Sequence, residues 1–356
     1  MKGLHFSNIA LFNDVNIFRL PVIIIRLCKR GFSMKQVLMS APYMIPYLDR
    51  FRPVFDHYGI QLLTPEVNER LEEAELLSLA GQFDGTICGD DRYSRLVLEK
   101  CSPRLKVVSK WGTGIDSIDR AACDAFGIRL MNTPNAFTLP VADSVLGYIL
   151  VFARQQLWMD KAIKSGVWKK IPGRSLSECT LGVIGVGNVG KAVLRRASAF
   201  GMTLLGNDTQ PIARDFLLEN KVKLVALNQL LAEADFVSVN CDLNPTSYHL
   251  INRDTLQHMK PTAVLINTAR GPIVDEEALV DALEEKVIGG AAMDVFELEP
   301  LPDNSPLKKM DNVLLAPHNS NSSPSAWEAV HWNTIRNLLL GLDINPEDLS
   351  KWQTSD

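Results

Sequence analysis

The order of apolar and helical segments along the chain restricts its fold more than any other feature. Short apolar runs alternate with longer stretches of helical period, in two successive series. The candidate strands of the first series are Gln36–Ser40, Ile60–Thr64, Gly85–Cys88, Lys106–Ser109 and Ile128–Met131. Those of the second are Leu181–Ile184, Thr203–Gly206, Phe236–Asn240, Ala263–Asn267, Ile288–Met293 and Val313–Ala316. Strands that alternate with helices form parallel sheets covered on both faces. The sequence therefore predicts an α/β fold with two doubly wound parallel-sheet domains.

Two further helical segments indicate how the domains are connected. The apolar-rich segment Leu139–Lys164 runs between the two series without a proline after Pro140, and it predicts one linking helix. The last segment, Ser325–Leu340, has helical period but no strand to pair with in the second series. We therefore expect it to cross back to the first domain. The predicted domains are residues 34–138 together with 319–356, and residues 139–318 inserted between them.

The first 33 residues lie before both series. Their most apolar part, Ile17–Cys28, is interrupted by Arg19, Pro21 and Arg26. Its apolar runs are far shorter than the roughly 20 residues that a membrane helix needs. It also lacks the small-residue cleavage site of a secretory signal. We expect residues 1–33 to form a poorly ordered extension rather than a membrane anchor.

Charge and cysteine usage argue against several functional classes. The formal net charge of −4 disfavours a nucleic-acid-binding protein, which needs a basic surface to neutralise phosphates. None of the 6 cysteines has the two-residue spacing of a zinc or redox motif, and the histidines show no paired spacing. We therefore predict no metal site, reduced thiols and a cytoplasmic location.

A glycine-rich turn lies near the start of the second series. The segment Gly185-Val186-Gly187-Asn188-Val189-Gly190 follows an apolar strand and precedes a helical run, as the G-x-G-x-x-G pattern of dinucleotide-binding proteins requires. Gly185 allows the tight turn, Gly187 allows the backbone to approach a pyrophosphate, and Gly190 allows helix and strand to pack closely. The helix N-terminus offers free N–H groups to the phosphates. We expect Asn188 and Val189 to contact the cofactor too, in a Rossmann domain.

An acidic residue completes this pattern. Asp208 lies about 20 residues after the glycines, at the end of the next candidate strand. Its carboxylate can accept hydrogen bonds from the ribose hydroxyls, and it would repel a 2′-phosphate. The sequence therefore predicts NAD, rather than NADP, as the cofactor.

Three further motifs follow the glycine turn. They are Asn267-Thr-Ala-Arg270-Gly-Pro-Ile-Val-Asp275-Glu276, Asp294-Val-Phe-Glu-Leu-Glu299-Pro300 and Ala316-Pro-His318. They resemble, in the same order, the arginine, glutamate and histidine motifs of the D-isomer-specific 2-hydroxyacid dehydrogenases, and the resemblance extends from Met34 to the C-terminus. It implies an NAD-dependent enzyme that interconverts a D-2-hydroxy acid and its 2-keto acid. It also implies a flavodoxin-like substrate domain beside the Rossmann domain, an active site between them, and a homodimer.

The resemblance assigns a role to each motif, and the chemistry explains the residue types. His318 removes the hydroxyl proton as hydride leaves the carbon, since the ordinary pKa of histidine is about 6.5. Glu299 stabilises the imidazolium. Arg270 binds the substrate carboxylate with its fork of donors and polarises the carbonyl that forms. Ala269 and Asp294 are expected to contact the cofactor, Asp294 through the nicotinamide carboxamide.

The first domain supplies the expected substrate contacts. By the same resemblance, the turn Trp111-Gly112-Thr113-Gly114 presents backbone N–H groups to the substrate carboxylate, and its glycines permit the close approach. Arg92 follows the third candidate strand, and with Lys110 it could hold a phosphate or a second carboxylate. We therefore expect a polar or anionic substrate such as 3-phosphoglycerate. The acidic residues Asp90 and Asp91, which directly precede Arg92, argue against an anionic substrate.

Other functions on the same fold stay open from the sequence alone. Formate dehydrogenases usually carry a glutamine where this chain has Glu299, whereas phosphite dehydrogenases keep a similar triad. NAD-sensing corepressors built on this scaffold also keep these residues. The segments Ser238–Leu243 and Asn319–Ser323 depart from the family pattern on the cofactor and substrate sides. We therefore expect altered local contacts at both places.

Overall fold

The first of two parallel sheets is built from the first series of strands. The computed structural model describes residues 34–347 and 349–353, so the extension predicted for residues 1–33 lies outside the described residues. The strands are β1 (Lys35–Met39), β2 (Ile60–Leu63), β3 (Gly85–Cys88), β4 (Val107–Lys110) and β5 (Arg129–Met131). They lie in the order β2-β1-β3-β4-β5, with all neighbours parallel. This is the flavodoxin-like order, as predicted.

The second sheet is also entirely parallel. Its strands are β6 (Thr180–Ile184), β7 (Thr203–Asn207), β8 (Val222–Leu224), β9 (Phe236–Val239), β10 (Val264–Asn267), β11 (Gly290–Met293) and β12 (Val313–Leu315). The order β12-β11-β10-β9-β6-β7-β8 reverses direction at β6, which is the Rossmann arrangement. The prediction of two doubly wound domains is confirmed. The predicted series omits β8, because three residues with Lys223 in the middle form no recognisable apolar run.

Helices connect the strands and cover both faces of each sheet. Around the first sheet they are α1 (Leu48–His57), α2 (Glu73–Ser78), α3 (Arg95–Cys101) and α4 (Arg120–Ala125). They continue as α5 (Thr138–Ala153), α6 (Gln156–Lys164), α7 (Asn188–Ala199), α8 (Arg214–Asn220), α9 (Leu227–Glu233), α10 (Arg253–Leu256), α11 (Glu276–Glu284) and α12 (Pro324–Gly341). Each sheet has a buried apolar cluster on either face, as parallel sheets require.

The last helix packs against the first sheet, as predicted. The Ser109 hydroxyl on β4 donates to the backbone carbonyl of Thr334 on α12 at 2.8 Å. A Cβ at Gly341 would lie 2.2 Å from the side chain of Val107, so the helix and the strand can approach this closely only with a glycine there. The chain therefore returns to its first sheet. The residue boundaries given above for the two domains stay a prediction.

The segment that links the two sheets is a pair of helices, so the prediction of one helix over Leu139–Lys164 was wrong. Helix α5 ends at Ala153, and α6 begins at Gln156. Gln155 between them is left-handed, with φ 55°. The Ala153 carbonyl accepts a hydrogen bond from the backbone N–H of Arg174 at 2.8 Å, which withdraws it from the helical series. Because this donor is distant in sequence, no local residue marks the break.

Two observations on the described residues concern the state of the cysteines and the presence of membrane-spanning helices. All 5 cysteines among them are free thiols. Within residues 34–347 and 349–353, no helix has both the length and the apolar character needed to cross a lipid bilayer.

Candidate active site

A cleft of about 1070 Å³ lies where the carboxyl ends of the strands of both sheets face each other. Ligands of open α/β sheets bind at this edge. The sequence-predicted residues that line it are Trp111, Gly112, Thr113, Gly114, Gly185, Gly187, Asn188, Val189, Asp208, Ala269, Arg270, Asp294, Glu299 and His318. The fold therefore brings residues that are widely separated in sequence to one site.

The glycines of the turn after β6 have three different environments. Gly185 has φ 88°, and a Cβ there would lie 2.6 Å from the backbone N of Cys241. A Cβ on Gly190 would lie 2.0 Å from the carbonyl oxygen of Gly185, so this glycine allows α7 to pack on the turn. Around Gly187 a Cβ would meet no atom within 4 Å, because this residue borders the open cleft. The turn is therefore tight on its protein side and open toward a ligand.

The carboxylate of Asp208 supports this turn. One oxygen accepts a hydrogen bond from the Val186 backbone N–H at 2.6 Å, and the other accepts one from the Gln210 N–H at 2.7 Å. Each carboxylate oxygen keeps a second acceptor position for a ligand hydroxyl. The residues that follow, Thr209 to Pro211, contribute no cation that could hold a 2′-phosphate.

Replacing Asp208 by Ser is expected to shift the cofactor preference toward NADP. The change removes the charge that repels a 2′-phosphate and the acceptor for the ribose hydroxyls. We expect the ratio of kcat/KM for NADPH to that for NADH to rise at least about tenfold. Steady-state kinetics with both cofactors measure this ratio, and thermal melting checks that the loss of the two backbone contacts has not unfolded the domain. An unchanged ratio in the folded variant would contradict the assignment.

Three buried polar atoms at the cleft have no partner among the described residues. They are Oδ1 of Asn240, Oγ1 of Thr268 and Oγ of Ser320, each of which belongs to a residue that lines the cleft. A buried polar group without a partner is costly, so such atoms indicate a place for a polar ligand. Together with the open space at Gly187, they fit the amide and phosphate groups of a dinucleotide. Thr268 was not predicted as a site residue, although it directly precedes the arginine motif.

Asp294 holds the loop that carries the histidine. Its side-chain oxygens accept hydrogen bonds from the backbone N–H groups of Asn319 at 2.8 Å and Ser320 at 2.9 Å. Its carbonyl accepts one from the backbone N–H of His318 at 2.7 Å. His318 itself has φ 50°, a left-handed conformation that a non-glycine residue adopts only when its surroundings impose it. Asp294 therefore positions His318 in addition to lining the predicted nicotinamide pocket.

His318 and Glu299 form a hydrogen-bonded pair inside the cleft. Nδ1 of His318 lies 3.0 Å from Oε2 of Glu299, and the other oxygen of Glu299 accepts the Phe296 backbone N–H at 2.9 Å. Burial alone would lower the pKa of His318, but the hydrogen bond and the charge of Glu299 outweigh it and raise the pKa. This contact uses Nδ1, which leaves Nε2 for exchanging a proton with a ligand.

Replacing Glu299 by Gln is expected to lower the pKa of His318, because the negative charge that stabilises the imidazolium is lost. Keto-acid reduction needs the protonated imidazole, so its loss with rising pH should begin at lower pH than in the wild type. Hydroxy-acid oxidation needs the neutral imidazole, so its onset should also move to lower pH. Profiles of kcat/KM against pH in both directions measure the shift. Glu297→Gln serves as the matched control, because Glu297 is a nearby acid that pairs with His249 instead. Equal pH profiles for Glu299→Gln and Glu297→Gln would contradict the pairing of Glu299 with His318.

Arg270 joins the two sides of the cleft. Its Nε lies 3.0 and 3.2 Å from the two carboxylate oxygens of Asp116, and its Nη1 donates to the carbonyl of Ala269 at 2.8 Å. A Cβ on Gly114 would fall 1.7 Å from Nη2, so only a glycine leaves room for the guanidinium. These contacts use two of its five N–H donors and leave the others for an anionic ligand.

Arg92 lies outside this cleft. It lines a separate depression with Glu72 and Asp116, and its Nε lies 4.0 Å from Oε2 of Glu72. The turn after β3 instead brings Asp90 into the cleft and buries Asp91, which accepts the backbone N–H of Leu71 at 2.6 Å. This placement corrects the expectation that Arg92 meets the distal end of the substrate.

Sequence reasoning missed several residues on the first-domain side of the cleft. They are Tyr43, Glu69, Arg70 and, as a cleft residue, Asp90. Tyr43 follows β1 and Asp90 follows β3, so listing every residue beyond a strand's carboxyl end would have found these two. Burial raises the pKa of Tyr43 to about 12, assisted by the neighbouring carboxylates, so its hydroxyl stays protonated.

A Rossmann sheet with an open glycine turn, facing a histidine–carboxylate pair and an arginine, defines a nucleotide-dependent dehydrogenase. A profile described as "D-isomer specific 2-hydroxyacid dehydrogenase, NAD binding domain" matches residues 146–320. A glyoxylate reductase of Thermofilum pendens is 40% identical over 275 residues, which are 74% of this chain and 80% of that protein. A D-3-phosphoglycerate dehydrogenase of Synechocystis sp. is 36% identical over 325 residues, 88% of this chain but 56% of that protein. The solved TT0316 protein of Thermus thermophilus matches with TM-score 0.76 and 33% identity, over 87% of this chain and 98% of that one.

The chain belongs to the D-isomer specific 2-hydroxyacid dehydrogenase family. It is accordingly an NAD-dependent oxidoreductase that acts on the CH–OH group of a 2-hydroxy acid. The family, the enzyme class and the cofactor predicted from the sequence are thereby confirmed.

Proposed function

We propose that His318, Glu299 and Arg270 carry out the interconversion of a small D-2-hydroxy acid and its 2-keto acid in this cleft. The observation that carries the proposal is the convergence of the three residues. The hydrogen-bonded pair of His318 and Glu299 and the guanidinium of Arg270 line one cleft, although they come from three separate loops. Their mutual electrostatic influence supports the proposal, because the charge of Arg270 partly opposes the rise in the pKa of His318 that Glu299 causes.

Arg270 and the turn Trp111–Gly114 would bind the substrate carboxylate. The donors left on Arg270 match a planar carboxylate, and Gly112, with φ 112°, gives the turn a conformation that presents backbone to the cleft. The same guanidinium withdraws electron density from the substrate carbonyl. This arrangement holds the α-carbon between Arg270 and His318.

His318 would exchange the proton of the substrate oxygen. In reduction its Nε2 donates a proton to the carbonyl oxygen, and in oxidation it accepts the hydroxyl proton. Glu299 keeps the ring oriented through Nδ1 and stabilises its cationic form. NAD, when bound by the glycine turn, Asp208, Asn240 and Thr268, supplies or accepts the hydride.

Several finer features belong to the proposal. We propose a cytoplasmic homodimer without nucleic-acid partners, in line with the acidic net charge of −4 and the free cysteines of the described residues. The two relatives described above are named for different substrates, glyoxylate and 3-phosphoglycerate. These substrates differ in what lies beyond the α-carbon.

A screen of 2-keto acids with NADH tests the proposed function. We expect NADH oxidation with at least one small 2-keto acid. Chiral analysis should show the D isomer wherever the product has a stereocentre, as with hydroxypyruvate or 2-oxobutyrate; glycolate, the product from glyoxylate, is achiral. The reverse assay uses the matching D- and L-2-hydroxy acids with NAD. Formation of the L isomer, or the absence of turnover with every 2-keto acid, would refute the proposal.

A further inference from the structure

We propose that Asp90 and Lys110 form a charge filter in the substrate cleft, which disfavours 2-keto acids with a second anionic group beyond the α-carbon. The inference rests on the proposed function and narrows its substrate class to acids with a neutral distal end, such as glyoxylate or hydroxypyruvate. It runs against the expectation of a 3-phosphoglycerate-like substrate.

The two residues lie side by side at the carboxyl edge of the first sheet. Lys110 ends β4, where it pairs with Cys88 of β3, and Asp90 stands just beyond β3. Nζ of Lys110 lies 3.0 Å from Oδ1 of Asp90 and 3.0 Å from the carbonyl oxygen of Trp111. Both residues line the cleft, but the side chain of Lys110 is 5% exposed and that of Asp90 is 45% exposed. An incoming ligand therefore meets the carboxylate before it meets the ammonium.

Asp90 is charged and close to the reacting groups. Burial would raise its pKa, but the positive charges of Lys110, Arg270 and His318 together hold the pKa well below its ordinary value. Asp90 in turn raises the pKa of His318. These mutual effects place a negative charge on the first-domain wall within electrostatic range of the catalytic pair.

The other cation on this wall already has an acidic partner. Nε of Arg70 lies 2.6 Å from Oε1 of Glu72. Glu69 adds another carboxylate to the lining. Among the described residues that line the first-domain wall, no arginine or lysine lacks an acidic partner.

A distal phosphate or carboxylate that approached this wall would therefore meet the exposed carboxylate of Asp90, whereas Lys110 and Arg70 are already paired with acids. Like charges a few ångströms apart repel strongly where water is partly excluded, and a repulsive element of this kind produces specificity. A distal hydrogen or hydroxyl group carries no such penalty, and a hydroxyl can donate a hydrogen bond to Asp90. The cleft thus favours 2-keto acids with a neutral distal end, because Asp90 repels a distal anion.

The test compares pairs of substrates whose distal ends differ in charge, and it follows how the preference within each pair changes when Asp90 is replaced, since the difference in size within a pair stays the same. Hydroxypyruvate is paired with its phosphate ester, and 2-oxobutyrate with oxaloacetate, each with NADH at one pH. The wild type should prefer the neutral member of each pair. In Asp90→Asn the ratio of kcat/KM for the anionic member to that for the neutral member should rise at least about tenfold, because the repelling charge is gone and Lys110 is unmasked. A change in the pKa of His318 affects both members alike and cancels in the ratio.

The double variant Asp90→Asn/Lys110→Met is the matched control. It removes the pair without leaving an unbalanced ammonium, so its ratio should lie well below that of Asp90→Asn. Asp90→Ser supplies a second variant if the Asn variant does not fold, and thermal melting reports on folding. A wild type that prefers the anionic members, or a folded Asp90 variant with an unchanged ratio, would overturn the charge filter and leave the proposed function intact. A wild type that reduces no 2-keto acid would refute the proposed function itself.

Discussion

Replacing His318 by Gln is expected to lower kcat/KM for keto-acid reduction by about a thousandfold, within the range that general acid–base groups contribute. Glutamine is polar and similar in size, but it cannot carry the proton that the substrate oxygen needs. The pairing with Glu299 raises the pKa of His318, so in the wild type the imidazole is protonated over a wider range of pH. Steady-state kinetics with the best substrate of the screen measure the effect.

A matched control separates this loss from a general effect of removing histidine. His258→Gln changes an exposed histidine between α10 and β10, away from the cleft. It should keep nearly wild-type kcat/KM. Binding of NADH, followed by fluorescence, should also persist in His318→Gln, because the glycine turn and Asp208 are untouched. If His318→Gln kept more than about a tenth of wild-type activity, another residue would have to be the proton donor.

Replacing Arg270 by Ala is expected to lower kcat/KM by about 10²- to 10³-fold, the usual effect of removing a donor that stabilises developing negative charge. Both kcat and KM should change, since Arg270 is proposed to polarise the substrate carbonyl and to bind the substrate carboxylate. Arg270→Lys keeps the positive charge but loses the planar fork, so its activity should lie between those of Arg270→Ala and the wild type. Kinetics with a single keto acid measure all three proteins.

Arg270 also contacts Asp116 across the cleft, so a structural effect must be distinguished from a catalytic one. Asp116→Asn weakens the same ion pair without removing the guanidinium. If the role of Arg270 were only to hold the two sides together, both variants should lose activity equally. We expect Asp116→Asn to retain far more activity than Arg270→Ala, with similar melting temperatures for the two.

Local sequence signals were sufficient for much of the fold and for the cofactor site. Apolar strands and the glycine turn after β6 depend on short-range patterns, because a buried parallel strand needs a continuous apolar run and a tight turn needs glycine. Gly185 and Gly190 show this directly, since any Cβ there would collide with backbone atoms. Even the packing of α12 on the first sheet could be predicted, because the second series contains no strand to pair with this last helical segment.

Features that depend on distant contacts could not be read in this way. Helix α5 ends at Ala153 because a backbone N–H far along the chain takes its carbonyl, and nothing near residue 153 signals that bond. The turn after β3 carries Asp90, Asp91 and Arg92 in succession, and the sequence does not say which of them faces the substrate. Packing decides it, by burying Asp91 and presenting Asp90 to the cleft.

The sequence by itself determined the class of chemistry, because His318, Glu299 and Arg270 belong to ordered motifs and hydride transfer beside a nicotinamide needs a base, its acidic partner and an anion-binding group. Only the tertiary structure decided the electrostatic character of the substrate wall. Charges act through space, so the pairing of Asp90 with Lys110 and of Arg270 with Asp116 depends on which strand ends and loops meet across the cleft.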